Sequence, residues 1–385
     1  MNINKGLLSI GAVACTCVSF YIGAGYATMQ EIIQYEVSYG SLFPVVILVA
    51  GIIYLYTNVS FATNGHWLHL RHGTDIYDVY CSVMGKRVGH LVSLFFKYFS
   101  ILFCLMGFVV ITGGITSVMV EQWQWPRYAG AIFFMTVTVL TVVLRLRGIL
   151  KVLSFSGPLL ILGVLAIDLH GVYTGWFSIP HNMAEIDSGV FQGVIKQVGD
   201  GNPIYSGISY GGFVILWFAA FIAELGITKR LHHVNKGMFV SAICVFGVAM
   251  LGCLALIGHI HKTANVDVPA LFLAKSIAPW FAAGFSLIII IGGYTSAVPL
   301  LWTVASSVAH EKTMTYKLLT IGMGVLATLF AYFVPYKSLL NVLYGLNGYV
   351  GSFLVIMMII YDIKTCMSKH NHKHHNFPKR MATSQ

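Results

Sequence analysis

Residues 19–31 read SFYIGAGYATMQE. They lie inside an apolar run that starts near Leu7 and is long enough to cross a bilayer, which takes about 20 helical residues. Gly23-Ala24-Gly25 falls at the middle of that run, and a carboxylate, Glu31, follows six residues later. Glycine costs about 1 kcal/mol of helix propensity relative to alanine, so two so close together weaken the helix. In hydrocarbon, loosened backbone survives only where protein or a wet cavity receives its polar groups. The stretch therefore predicts a membrane helix broken near mid-depth and opening onto a cavity.

Composition sets the environment. Of 385 residues, 57% are hydrophobic and only 9% are charged, against about 25% charged in soluble domains. The mean hydropathy of +0.79 belongs to a polytopic membrane protein. Ten spans are expected near 7–32, 42–64, 91–119, 127–145, 149–171, 205–227, 238–260, 280–307, 316–335 and 339–362. The apolar run after Lys5 continues through the glycines, so it is not read as a cleaved leader. With the N-terminus inside, most of the 23 Lys and Arg residues fall on inner segments. Only Arg127, Lys196, Lys262, Lys275 and Lys337 fall outside. This asymmetry places both termini in the cytoplasm of a cell-membrane protein. It also accounts for the net charge of +10 without a nucleic-acid partner. The bilayer is the expected partner. None of the seven cysteines sits in an outer loop, so no structural disulfide is expected.

Ten spans divide into five and five. Residues 1–171 form a first five-helix repeat, 172–204 an outer connection, 205–362 a second repeat, and 363–385 a His/Lys-rich cytoplasmic tail expected to be disordered. A five-span unit ends on the side opposite its start, so the halves are inverted in topology. The sixth span, Tyr205–Gly226, carries Gly207, Gly211 and Gly212 with Ser209 and Tyr210 between them. A second break there, matching the first, would frame a binding site. The competing reading is that these glycines only let helices approach closely. Residues 74–85 read as a short amphipathic helix on the inner surface, and 263–279 as a short helix over the outer vestibule.

The first span, YIGAGYATMQEIIQY, resembles the first helix of the YkvI-like membrane proteins of the amino acid–polyamine–organocation superfamily. Their pattern is close to Gly-Ala-Gly-Phe-Ala-Ser-Gly-Gln-Glu. This chain departs from it at Tyr26 and at Thr28-Met29. The resemblance implies the LeuT fold: an all-α 5+5 inverted repeat with broken helices 1 and 6. It also implies a sodium site between the first and eighth spans. The eighth span reads GGYTSAVPLLW over 292–302. By this likeness Thr295, Ser296 and the Gly292 carbonyl supply oxygens, joined by the carbonyls of Ser19 and Ile22. Sodium suits such neutral oxygens. The alternative is ordinary hydroxyl-to-backbone bonding. The solute site would use Gly23, Ala24, Gly25 and Tyr26 with Ser209, Tyr210 and Gly211, and Phe213 and Trp217 would shape it. Half-helix amide groups could hold a solute carboxylate.

Ionisable groups in or near spans are functional hypotheses by default. Glu31 is expected to link to the outer gate. Asp168 and Glu224 are expected near span ends, in structural or gating roles. Lys97 snorkels or pairs with Glu224. Lys151, at the shallow inner end of the fifth span, is expected to set topology rather than replace sodium. His66, His69 and His72, and His370, His372, His374 and His375, carry no acid or thiol partner, so no metal beyond sodium is expected. No nucleophile or acid–base pair is identifiable, which argues against an enzyme. A channel subunit would need a repeated filter. The expected function is secondary active transport of an amino acid or small amine by alternating access, with no cofactor and with Na+ or, alternatively, H+ as coupling ion.

Overall fold

The computed structural model describes residues 2–22, 24–68, 70, 73–144, 149–310 and 313–375. Among them the chain is helical, with one isolated bridge, Gln192–Ile195, and no strand. The first span is three pieces: α1 (Asn2–Tyr21), α2 (Ala24–Ala27) and α3 (Gln30–Tyr35). Then follow α4 (Phe43–Leu68), a surface helix α5 (Ile76–Cys81), α6 (Lys86–Trp123), α7 (Arg127–Leu144) and α8 (Ile149–Gly175). The connection carries α9 (Ile179–Asp187). The second half is α10 (Pro203–Thr228), α11 (Leu231–Gly258), two short helices α12 (Ile260–Thr263) and α13 (Pro269–Ile277), α14 (Pro279–Val308), α15 (Met314–Phe333) and α16 (Tyr336–His375). Eight helical stretches are long and apolar enough to cross a membrane, and shorter apolar stretches lie in α1 and α10. These are the ten expected spans of a multi-pass membrane protein.

The inversion shows in the packing. The first span of each half packs on the second span of the other: α1 on α11, and α10 on α4. Likewise α1 packs on α8 as α10 packs on α16, and α14 on α8 as α6 on α16. Large apolar side chains such as Phe133, Leu140, Leu329 and Phe333 stay exposed on the outer ring, the surface lipid would cover.

The sixth span corrects an expectation. α10 is one uninterrupted helix from Pro203 to Thr228, so residues 208–212 are not a break. Its glycines serve close approach instead. A Cβ on Gly207 would lie 2.7 Å from Val49 Cβ, and one on Gly211 would lie 2.6 Å from Ile53 Cγ2, both on α4. One on Gly212 would lie 3.3 Å from the Gly351 backbone of α16. Further along the α4–α10 contact, Gly226 rests on the Ala62 backbone and Gly65 on the Ala223 backbone, a reciprocal small-residue crossing.

At the connections, 73–84 is helical as expected. Its Asp78 takes the Lys97 ammonium at 2.6 Å, and Asp75 lies 3.7 Å from the same nitrogen. Partial burial works against the Asp78 charge, but hydrogen bonds from Lys97 and Ser93 hold it below the usual carboxylate range. Lys97 therefore does not pair with Glu224, which is exposed. α13 starts over Glu121, whose Oε1 accepts the amides of Asp267 and Val268 at 3.0 and 3.1 Å. α9 is tied to α11 by Asn182, which donates to the Ile257 and Gly258 carbonyls. α16 continues through the histidines to His375, so that part of the tail is helical rather than disordered. His69 and His72 lie outside the described residues.

Gly226→Val is expected to lower stability by about 1–3 kcal/mol, because the branched side chain meets backbone that cannot yield. Gly247→Ala is the control, since nothing lies within 4 Å of a Cβ there. Thermal unfolding in detergent followed by tryptophan fluorescence should separate the two; equal midpoints would contradict the close crossing.

Candidate functional site

α1 stops at Tyr21, and the Ile22 amide makes the last α1-type bond, to the Val18 carbonyl at 2.9 Å. Gly23 lies outside the described residues. One turn, α2, follows, and then the chain reverses at Thr28-Met29. Met29 adopts the left-handed conformation (φ 62°, ψ 8°), which glycine enters freely and other residues at a cost of about 1–2 kcal/mol. This is the position where the resembling family has its flexible glycine. Thr28 fixes the turn. Its Oγ1 donates to the Gly25 carbonyl at 2.9 Å and bonds the Tyr336 hydroxyl of α16 at 3.1 Å. Its own carbonyl accepts the Ala270 amide of α13 at 3.1 Å. The last carbonyls of α3 are also satisfied, Gln34 by the Val198 amide at 3.2 Å and Tyr35 by Ser206 Oγ of α10 at 2.8 Å. Protein groups thus replace the water that a helix end ordinarily needs.

The break faces a closed aromatic cluster. Tyr26 is wholly buried and donates to the Val245 carbonyl of α11 at 2.7 Å. The Tyr21 ring meets the rings of Tyr26, Tyr54, Tyr210 and Phe246 at centroid distances of 6.2, 5.4, 6.2 and 5.8 Å. Tyr210 of α10 also lies 4.6 Å from Tyr35 of α3. Tyr210 therefore bridges the two flanks of the break, and Ser209 beside it packs on Gly348 of α16. The structure brings Tyr26 and Tyr210 into one cluster, with Tyr21 and Tyr35 as links that sequence reasoning did not single out. Gly211 is turned away, onto α4. Phe213 and Trp217 have side chains outside the described residues, as does Ala24.

The Glu31 carboxylate folds back over Gly25, on the spot where a Cβ would stand. A solute carboxylate at that point would meet a like charge, and α2 is only four residues long. Two more acids are sealed in nearby. Glu36 is wholly buried and accepts a hydrogen bond from Cys253 Sγ of α11 at 3.3 Å. Asp168 of α8 is wholly buried, and neither of its oxygens has a hydrogen-bond partner among the described residues. A Cβ on Gly252 would lie 3.5 and 3.6 Å from those oxygens and 3.4 Å from Ile32 Cδ1, so α3, α8 and α11 meet there. Asp168 sits further from its helix end than expected, because α8 continues to Gly175. Glu36 was missed, lying just past the expected span end.

At the residues expected to hold sodium, the eighth-span hydroxyls make the hydroxyl-to-backbone bonds of the alternative reading. α14 packs on α2. Thr295 and Ser296 are buried, and both hydroxyls donate to the Gly292 carbonyl, at 2.8 and 3.1 Å. Ile22 is buried at the end of α1. The side chains of Ser19 and Lys151 are outside the described residues. No group of three or more His, Cys, Asp or Glu among the described residues is arranged to hold a metal. A separate cavity of about 700 Å³ opens between α4, α11 and α16, where Asp362 accepts from Tyr56 and Ser60 at 2.9 and 3.0 Å.

Gly25→Ala forces its methyl group onto Glu31, so it is expected to destabilise the folded protein by about 1–3 kcal/mol. Glu31→Ala removes the obstacle, and the double variant should recover most of the loss. A double-mutant cycle on thermal midpoints checks this, and strictly additive effects would contradict the contact.

No family model matches the sequence, and no curated protein is significantly similar to it. Solved structures do match. The chain superposes on a Na+-coupled sialic acid symporter in its substrate-bound outward-open state with a TM-score of 0.59 at 10% identity, covering 91% of this chain and 78% of that one. A single-site variant of the manganese transporter of Eremococcus coleocola matches with a TM-score of 0.55 at 14% identity, covering 93% and 78%. These neighbours are transporters rather than enzymes. At such identities the likeness shows the fold, which is LeuT-like.

Proposed function

We propose that this chain is a secondary active transporter that moves a small polar solute through the cell membrane by alternating access, with both termini in the cytoplasm. The observation that carries the reading is the interruption of the first span between α1 and α3, with Thr28 bonded to Gly25, Tyr336 and Ala270 and with Tyr21 set against Tyr210 of α10. A broken helix at the junction of two inverted halves is where such folds place solute and ion. The solute is an amino acid or related amine, held between Gly23–Tyr26 and Ser209–Tyr210. The amine end is favoured near Gly25, because the Glu31 carboxylate covers it. Sodium is the coupling ion, taken by the Ser19 and Ile22 carbonyls with Gly292, Thr295 and Ser296. Both ligands then stabilise the same occluded state, so each raises the affinity of the other. Proton coupling is the second reading, favoured by the three buried acids Glu31, Glu36 and Asp168.

The test is uptake of a labelled panel of amino acids and amines into proteoliposomes under a sodium gradient, a pH gradient or neither. Gradient-driven accumulation of at least one solute is expected, and no accumulation of any would contradict the reading. Thr295→Ala with Ser296→Ala should reduce sodium stimulation at least tenfold while leaving the thermal midpoint within a few degrees. Unchanged stimulation would remove the sodium assignment.

A further inference from the structure

We propose that Asp168 is a proton-binding site: its carboxyl group carries a proton while the junction of α3, α8 and α11 is sealed, and gives it to water when α3 swings away. The proposal deepens the transporter reading, on which its coupling role rests, by naming the group that would take up the second ion.

Three observations lead there. Asp168 has no exposure, and both oxygens lack a hydrogen-bond donor among the described residues. An ionised carboxylate held so, without donor or cation, costs many kcal/mol, and such a group neutralises instead. Among the described residues no counter-charge stands beside it. From α11 come Gly252, which brings bare backbone to the carboxylate, and Cys253, bonded to Glu36. Tyr26 of α2 and the carboxyl of Glu36 are the other titratable groups at this junction, and neither is cationic. α14 contains no acid or base other than tyrosine, and the single base of α13, Lys275, donates to the Glu121 carbonyl at 2.9 Å. The one base of α1, Lys5, is at its far end. His170, two residues along α8, keeps a buried Nδ1 without a partner, and its neighbour across the helix end is His259, not the acid cluster.

The second step is to ask which cation fits. No cluster of metal ligands is arranged among the described residues. A methyl-sized point on Gly252 would meet Ile32 Cδ1 and both Asp168 oxygens at ordinary contact distances, so the space between the three elements there is small. A proton needs no cavity and no ligand shell, so it satisfies the group where a hydrated ion cannot. The third observation supplies the gate. Ile32 belongs to α3, which follows the left-handed turn at Met29. Rotation at that turn would carry Ile32 away from the space beside Gly252 that Asp168 also borders, admit water and let the acid ionise. The balance is simple: water on the α3 side accepts the proton, leaving a carboxylate, and the reverse step restores the acid before closure.

The test is infrared difference spectroscopy of the full chain in liposomes, between acid and alkaline buffer, with no solute. A carboxylic-acid carbonyl band is expected that shifts when aspartate is isotopically labelled and that is absent in Asp168→Asn. A band that survives in Asp168→Asn, or that moves only with labelled glutamate, would overturn the assignment. Ile32→Ala uses an intact carboxyl group and guards against a misfolded Asn variant. Enlarging the space beside the acid should let the aspartate band disappear at a pH at least one unit lower, and an unchanged titration would count against the gate and the proposal. Because no solute is involved, these outcomes stand apart from those of the uptake assay.

Discussion

A peptide group that leaves its helix inside a membrane must find another partner, because lipid offers none. Everything near residues 22–29 follows from that constraint. Thr28 closes the turn onto Gly25 and Tyr336, α13 donates the Ala270 amide, and α10 reaches Tyr35 through Ser206. These bonds join the broken span to α16, α13 and α10 at once. A movement of α3 therefore cannot be local: it breaks or remakes contacts with three elements of the second half. That is the mechanical content of alternating access, since packed interfaces have discrete arrangements rather than a continuum.

The same region concentrates charge where the bilayer penalises it. Glu31 covers Gly25, Glu36 leans on Cys253, and Asp168 is buried beside Gly252. Structural reasons alone would not retain three acids where apolar residues would pack as well. In the proposed cycle, their place around the interrupted first span would link protonation to opening. The charge that is costly in the sealed state becomes cheap when water enters, which biases the joint according to what the acids hold.

Part of this was legible in the sequence. Gly-Ala-Gly inside an apolar run announced the first break, and Gly25 also leaves room for the Glu31 carboxylate. Met29, where the resembling family carries glycine, was read as the loss of a flexible point, yet its backbone keeps the left-handed conformation. The glycines of α10 looked equivalent on paper but are not. Their meaning depends on Val46, Val49 and Ile53 of α4, more than 150 residues away, which turn them into contact points on a straight helix. Glu36 escaped notice because the span was expected to end at residue 32, before the turn that carries it inward. Asp168 was assigned to a helix margin because α8 was expected to stop near residue 171. Burial is a tertiary property, and a hydropathy window cannot say which side of a helix meets α3 or α11.

The account stands on a first span that is discontinuous and mobile beside a sixth that is not. Amide hydrogen exchange of the liposome-embedded protein measures this directly, by comparing peptides covering residues 22–29 with those covering 207–212. Exchange is expected to be much faster across 22–29, and to slow there when a transported solute and its coupling ion are added, while 207–212 stays protected throughout. Equal, unchanging protection of the two segments under every condition would contradict it.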